Sequence, residues 1–163
     1  MFYHSPVGII QIKIFNNYVS ELIYFDEEPA TSSDKIKLTV LETHFLKKCV
    51  SQFDDYFSGK RKIFDLPIQQ TGTVFQQKVW NELIKIPFGK TISYLQLAQR
   101  LGDVKSIRAA ASANGRNKLN VIVPCHRVIG SDGSLVGYGG GLPRKKWLLE
   151  HEAKYENGVS TLF

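Results

Sequence analysis

The sequence predicts an α+β protein of 163 residues in two parts: a small α/β N-terminal domain over residues 1–70, an antiparallel sheet plus one helix, then a C-terminal domain over 71–163 built on a helix-turn-helix. Three observations predict it. Two runs of strand-forming residues flank a turn pair near the N-terminus, one long stretch repeats apolar residues at helical spacing, and the second half opens its short helices with two capping boxes. A chain of this length can bury one good core or two small ones without disulfides.

The runs GIIQIKIF (8–15) and YVSELIYF (18–25) are rich in β-branched and aromatic residues, and Asn16-Asn17 between them tolerates the positive φ of a tight hairpin turn. After the polar stretch DEEPATSSD (26–34), Leu38, Leu41, Phe45, Cys49 and Phe53 recur at spacings of three and four. That is the apolar face of a long helix ending near Gly59, on which Cys49 reads as a small core residue. A short strand over 63–68 then leads out of the first domain.

Thr73-Val-Phe-Gln76 forms a capping box before a helix whose apolar face is Phe75, Val79, Leu83 and Ile86, stopped by Pro87-Phe-Gly89. Ser93-Tyr-Leu-Gln96 is a second box, opening a short helix through Leu95, Ala98 and Leu101 that Gly102 ends with a left-handed cap. A third helix runs from Lys105 to Asn114 and closes at Gly115. Two short helices joined by a Gly-containing turn suit a helix-turn-helix, and the small side chains of SIRAAASAN let the second helix press close against a partner.

Charge is divided unevenly along the chain. Residues 1–74 carry 8 Lys and Arg against 9 Asp and Glu, whereas 75–152 carry 12 against 5, giving an overall net charge of +6. A basic C-terminal half suits a polyanion, because neutralising phosphates releases counterions. Arg108 at the head of the Ala-rich helix, with Arg116 and Lys118 just beyond, points to DNA.

Other classes lose support. Two cysteines provide neither a disulfide framework nor a zinc-binding pair, which favours a reducing compartment and no metal. The N-terminal MFYHSPVGIIQIKIF lacks a basic leader region, and nowhere do roughly 18 apolar residues run together, so a cytoplasmic protein without a membrane segment is expected. The Gly-rich GSDGSLVGYGGGLP (130–143) lets backbone approach a ligand, yet it contains no GxxxxGK[ST] and follows no dinucleotide fingerprint.

The chemistry concentrates at VIVPCHRVIG (121–130), where Cys125 stands between a proline and a histidine in an apolar, β-branched run. A cysteine in such a strand is ordinarily inert. Here, however, the adjacent His and Arg could lower the thiol pKa from its free value of about 8.5 and supply thiolate at neutral pH.

Pro124-Cys125-His126-Arg127 resembles the active-site motif of the 6-O-alkylguanine-DNA alkyltransferases, the methylated-DNA–protein-cysteine methyltransferases. The resemblance covers about residues 72–152, taking in the helix with Trp80, ISYLQLA (92–98), Arg108, Asn117, the Gly-rich loop and KKWLLEHE (145–152). Over residues 1–70 it is architectural only. It implies a ribonuclease-H-like N-terminal domain followed by a winged helix-turn-helix domain, acting as a monomer on double-stranded DNA containing alkylated guanine, and without a cofactor.

Further implications attach to matching positions. Cys125 would accept the alkyl group, His126 would take its proton through a water, and Glu152 would orient that histidine. Tyr94 would donate a hydrogen bond to the guanine, and Arg108 would fill the stack behind the flipped nucleotide. Ala109, Ser112, Ala113, Asn117, Lys118 and Arg127 would complete the DNA-binding set, Asn117 by joining the DNA-binding turn to the active-site turn. The pocket would be lined by Tyr94, Asn120, Val128, Tyr138, Gly139 and Gly140, with the carbonyls of Cys125 and Val128 reading the guanine amino group. Repair of 6-O-methylguanine and 4-O-methylthymine would be stoichiometric, because a thioether has no return path comparable to disulfide exchange.

Three positions depart from the family pattern. Lys118 and Asn120 stand where prolines occur, and Gly139 stands where a hydroxyl side chain occurs. The amide of Asn120 makes the pocket wall polar, so a benzyl group is expected to react less readily than a methyl group. Two rival readings are weaker. An inert alkyltransferase-like binder would lack Cys125, and a winged-helix regulator with a redox thiol would not account for Tyr94, His126 and Glu152 together.

Overall fold

A computed structural model describes residues 1–29 and 38–158; most of the polar stretch 26–34 lies outside the described residues. Backbone contacts divide the chain into two compact units, Met1–Gln70 and Thr71–Phe163.

The first unit is a three-stranded antiparallel sheet in the order β1 (Phe2–Ser5), β2 (Gly8–Phe15), β3 (Tyr18–Phe25), followed by α1 (Val40–Phe57). Asn16 and Asn17 take φ of 49° and 60°, the pair of positive values a two-residue hairpin turn requires. A bulge sets two residues of β3, Val19 and Glu21, opposite the consecutive Ile14 and Lys13, leaving Ser20 as the extra residue. The resulting phase shift lets Val19 and Leu22, three apart, both enter the core with Ile10 and Ile12.

Two expectations for this unit change. The segment 63–68 forms no strand; it touches the sheet through one parallel bridge, Val19 to Ile68, because Pro67 has no N–H to extend the ladder. Instead, Gln52 on α1 exchanges two side-chain hydrogen bonds with the backbone of Asp65, at 2.8 and 2.9 Å. The buried face of α1 starts at Phe45, with Leu38 and Leu41 exposed, since the helix begins only after a capping box between Thr39 and Glu42.

The second unit comprises α2 (Val74–Ile84), β4 (Ile92–Ser93), α3 (Tyr94–Arg100), α4 (Ile107–Gly115), β5 (Val128–Ile129) and α5 (Leu142–Asn157). Both expected capping boxes form, Thr73 with Gln76 and Ser93 with Gln96. The buried face of α3 is Tyr94, Leu97 and Ala98, whereas Leu95 is exposed. The third helix begins with a 3₁₀ turn, Val104–Ser106, capped by Asp103, before continuing as α4. Trp80 on α2 donates its indole N–H to the carbonyl of Ala113, tying α2 to α4.

Strands β4 and β5 pair in parallel, Ile92 opposite Val128 and Ser93 opposite Ile129. This short ladder brings the start of α3 beside the segment that precedes β5. Helix α5 is joined to the 86–89 turn where Gly89, at φ +69°, donates its N–H to Glu152. A Cβ at Gly89 would lie 2.5 Å from the Cβ of Glu156, and the backbone there is left-handed. Gly89→Ala is therefore expected to destabilise the protein by about 1–3 kcal/mol, read as a lowered melting temperature.

Candidate active site

Cys125 does not sit in a strand. It opens a 3₁₀ turn, Cys125–Arg127, with β5 confined to the next two residues. Upstream, Val121 takes φ 74°, which a β-branched residue adopts only under constraint. Asn117 supplies part of that constraint. Its Nδ2 donates to the carbonyl of Val123 at 2.8 Å and its Oδ1 accepts from the N–H of Leu119 at 3.0 Å.

The same Nδ2 lies 3.1 Å from the sulfur of Cys125, so one side chain joins the end of α4 to the thiol. On its other side the thiol donates to Oδ1 of Asn120 at 3.4 Å. Asn120, expected as a polar residue of the pocket wall, is thus a direct partner of the thiol. The sulfur rests between a donor, which favours thiolate, and an acceptor, which favours thiol.

Burial decides the resting state. Cys125 is 2% exposed, and desolvation pushes its pKa up to about 11, against the smaller lowering effects of Asn117 and the Lys145 charge. The expected lowering by Arg127 does not occur, because that guanidinium is turned elsewhere. Arg127 is buried, with Nε and Nη2 each 2.9 Å from the carboxylate of Glu152 and Nη1 donating to the carbonyl of Ile86. It is a structural cation and leaves no charged group for a phosphate.

Glu152 also accepts from His126 Nε2 at 2.8 Å, and both side chains are fully enclosed. Burial raises the Glu152 pKa, but His126 and Arg127 outweigh it and hold the carboxyl below the usual carboxylate range. Burial lowers the pKa of His126 and keeps the imidazole neutral. With Nε2–H committed to an anion, the proton-free nitrogen is Nδ1, which has no hydrogen-bond partner among the described residues. The arrangement is a thiol followed by a neutral histidine whose basic nitrogen is available and whose tautomer is fixed.

Tyr94 stands at the start of α3, its hydroxyl accepting from Asn114 Nδ2 at 3.2 Å and lying 3.4 Å from the carbonyls of Val136 and Gly137. Burial raises its pKa, so it remains a neutral donor. Gly137, at φ +57°, lets the loop pass this hydroxyl; a Cβ there would come within 3.2 Å of it. Tyr138 is half-buried and edge-on to His126, Gly139 is exposed, and Gly140 is buried.

Sequence reasoning missed two buried polar residues here. Lys145 is fully buried on α5 and donates to the carbonyls of Val128 and Val136, both at 2.6 Å, and of Gly137 at 3.3 Å. Its first contact uses one of the two lone pairs of the Val128 carbonyl, the oxygen expected to read guanine. Burial lowers its pKa to about 8. Asn114, on the inner face of α4, touches both Tyr94 and the carbonyl of Cys125. The signal for Asn114 was a polar residue on the apolar side of an Ala-rich helix; for Lys145 there was none.

Of the expected DNA-facing residues, Arg108, Ala109, Ser112 and Lys118 are exposed. Ala113 is buried, its carbonyl held by Trp80, and Asn117 is 6% exposed; neither presents a surface to DNA. The outer face of α4 is therefore small and positively charged, directly behind the turn that bears the thiol.

A short helix with an exposed basic outer face, together with a buried thiol and a His–Glu–Arg cluster, suits a nucleic-acid protein with cysteine chemistry. Residues 74–154 match the family profile "6-O-methylguanine DNA methyltransferase, DNA binding domain", and 1–70 match that family's ribonuclease-like domain. A methylated-DNA–protein-cysteine methyltransferase of Mycobacterium leprae is 48% identical over 161 residues, covering 98% of this chain and 94% of the relative. The constitutive enzyme of that name from Bacillus subtilis is 40% identical over 137 residues, 83% of each chain. Among solved structures, the Mycobacterium tuberculosis protein in complex with DNA superposes with a TM-score of 0.80 at 36% identity, over 94% of this chain and 92% of that one. The chain belongs to the 6-O-methylguanine DNA methyltransferase family.

Removing the Glu152 charge tests the cluster. Glu152→Gln leaves Arg127 buried without an anion and is expected to cost about 3–5 kcal/mol at neutral pH. Because the folded pKa is depressed, the carboxylate's contribution is fully present above its ordinary value of 4.5 and is lost as pH falls through the folded value. In urea unfolding, the gap between wild type and Glu152→Gln should accordingly narrow in acid.

Proposed function

We infer that this protein repairs DNA by direct damage reversal, transferring the methyl group of 6-O-methylguanine to Cys125. The observation that carries this reading is the buried His126–Glu152 hydrogen bond on the turn that Cys125 opens, in a chain of this family. A DNA complex of a relative supports DNA as the partner.

The geometry supports the following roles. His126 Nδ1 takes the thiol proton through a water, and Asn117 holds the thiolate as it forms. The sulfur attacks the methyl carbon in line; the S–C bond forms as the C–O bond breaks, and the base leaves as guanine after regaining a proton. Tyr94 donates to the base, offsetting the negative charge that develops on it. No donor or cofactor is needed, because the methyl group comes from the DNA itself. The target must leave the stack to reach a sulfur this deeply enclosed, and exposed Arg108 on α4 fills the space behind it. Lys118 meets the phosphate backbone. Unpaired Cys49 and Cys125 suit a reducing compartment, the cytoplasm. Among the described residues no helix is long and apolar enough to cross a membrane.

Transfer should stop at one equivalent of methyl per protein, and Cys125→Ser should abolish it while DNA binding persists; mass spectrometry of the Cys125 peptide reads the first and a gel shift the second. Continued turnover would contradict a single thiol acceptor. Arg108→Ala should slow repair in duplex DNA far more than reaction with free alkylated guanine, since only the duplex reaction holds an extrahelical nucleotide. Equal losses with both substrates would place Arg108 in the pocket or the fold.

A further inference from the structure

Asn114 is 1% exposed on the inner face of α4, and its amide is only half used. Nδ2 lies 3.2 Å from the Tyr94 hydroxyl and 3.4 Å from the carbonyl of Cys125. Oδ1 is buried and has no hydrogen-bond partner among the described residues. The orientation of the amide is fixed by chemistry: a carbonyl only accepts, so turning the amide over would set Oδ1 against the oxygen of Cys125. A buried acceptor left unpaired in a folded protein calls for an explanation.

Its neighbours supply one. Both groups that Nδ2 touches belong to the base site: the hydroxyl that donates to the base, and the backbone of the residue that takes the methyl group. The Val128 carbonyl, also expected to meet the guanine amino group, already accepts from Lys145 at 2.6 Å, which leaves it one lone pair. Beside the Cys125 carbonyl, Asn114 adds a buried acceptor with both lone pairs unused among the described residues. We propose that Asn114 is a specificity-determining residue whose Oδ1 accepts a hydrogen bond from the exocyclic 2-amino group of the flipped guanine.

This rests on the alkyltransferase reading above and adds a substrate preference to it. A base with the amino group satisfies Oδ1, whereas one without it leaves the acceptor buried and unpaired. Alkylated thymine has no amino group at that edge and falls in the disfavoured class. The Nδ2 contact has a second effect. By occupying a lone pair of the Tyr94 oxygen, it keeps that hydroxyl in a donating role; the O–H, directed at the loop carbonyls of Val136 and Gly137 3.4 Å away, turns from them to serve the base.

The test compares two duplexes of one sequence, carrying 6-O-methylguanine or 6-O-methylhypoxanthine, which differ only in the 2-amino group. Second-order rates are read as methyl gained on Cys125. Wild type should prefer the guanine lesion by at least about tenfold, and Asn114→Leu should reduce that preference by about fivefold. Tyr94→Phe, which keeps Asn114, should slow both reactions yet hold the preference within about twofold of wild type. A wild type indifferent to the amino group overturns the proposal without needing any variant to fold. An unchanged ratio in Asn114→Leu also overturns it, as does an equal fall in both rates, which would make Asn114 a support for Tyr94. Failure of wild type to methylate Cys125 from either duplex would instead overturn the alkyltransferase reading itself.

Discussion

One buried carboxylate organises the second unit. The two oxygens of Glu152 receive His126 Nε2, Nε and Nη2 of Arg127, and the N–H of Gly89, so α5, the cysteine turn and the 86–89 loop meet at a single anion. An ion pair this enclosed contributes less to stability than its short distances suggest, since both charges have left water. Its contribution is positional. It balances Arg127, fixes the histidine tautomer and sets the turn at one distance from the helix, and the active-site geometry depends on all three.

Around that anchor the nucleophile is held in reserve. Asn117 offers the sulfur a donor and Asn120 an acceptor, and burial tips the balance to the protonated form. On the mechanism proposed above, activation is thereby coupled to filling the pocket, with His126 taking the proton as the sulfur attacks. Asn117 also braces the strained Val121 backbone, linking the solvent-facing helix to the chemistry behind it through one amide. Lys145 does the corresponding work for the loop, pinning the carbonyls of residues 136 and 137 where Tyr94 also reaches.

What was legible in the sequence was what short-range chemistry determines. The Asn16-Asn17 turn and the boxes at Thr73 and Ser93 involve residues within three positions of each other, and each is found in place. The strand expected at 63–68 failed on Pro67, whose missing N–H outweighed the apolar pattern, and the face of α1 was drawn one turn too early, with Leu38 ahead of the cap and Leu41 exposed in the first turn. Of the residues picked out by motif, His126 and Glu152 are hydrogen-bonded, and Cys125 opens the turn that carries His126. Side-chain direction was not legible. Arg127 looked like a cation for phosphate and Ala113 like part of a smooth outer face, but each is committed to a partner 25 or more residues away along the chain. Asn114 and Lys145 escaped notice for the same reason: their partners come from three separate segments that only the folded domain brings together.

The 2% exposure of Cys125 bears on how long an idle molecule keeps its capacity. Oxidation of cysteine proceeds through exposed thiolate, and a sulfur that is protonated and shut away from solvent offers oxidants little to attack. A catalyst that turns over can lose a fraction of its sites and still clear its substrate. A protein with one reactive sulfur and no means of resetting it has a capacity equal to its count of intact copies. Enclosing the thiol thus preserves the standing stock between encounters with damage, at the expense of speed toward anything that does not fit the pocket.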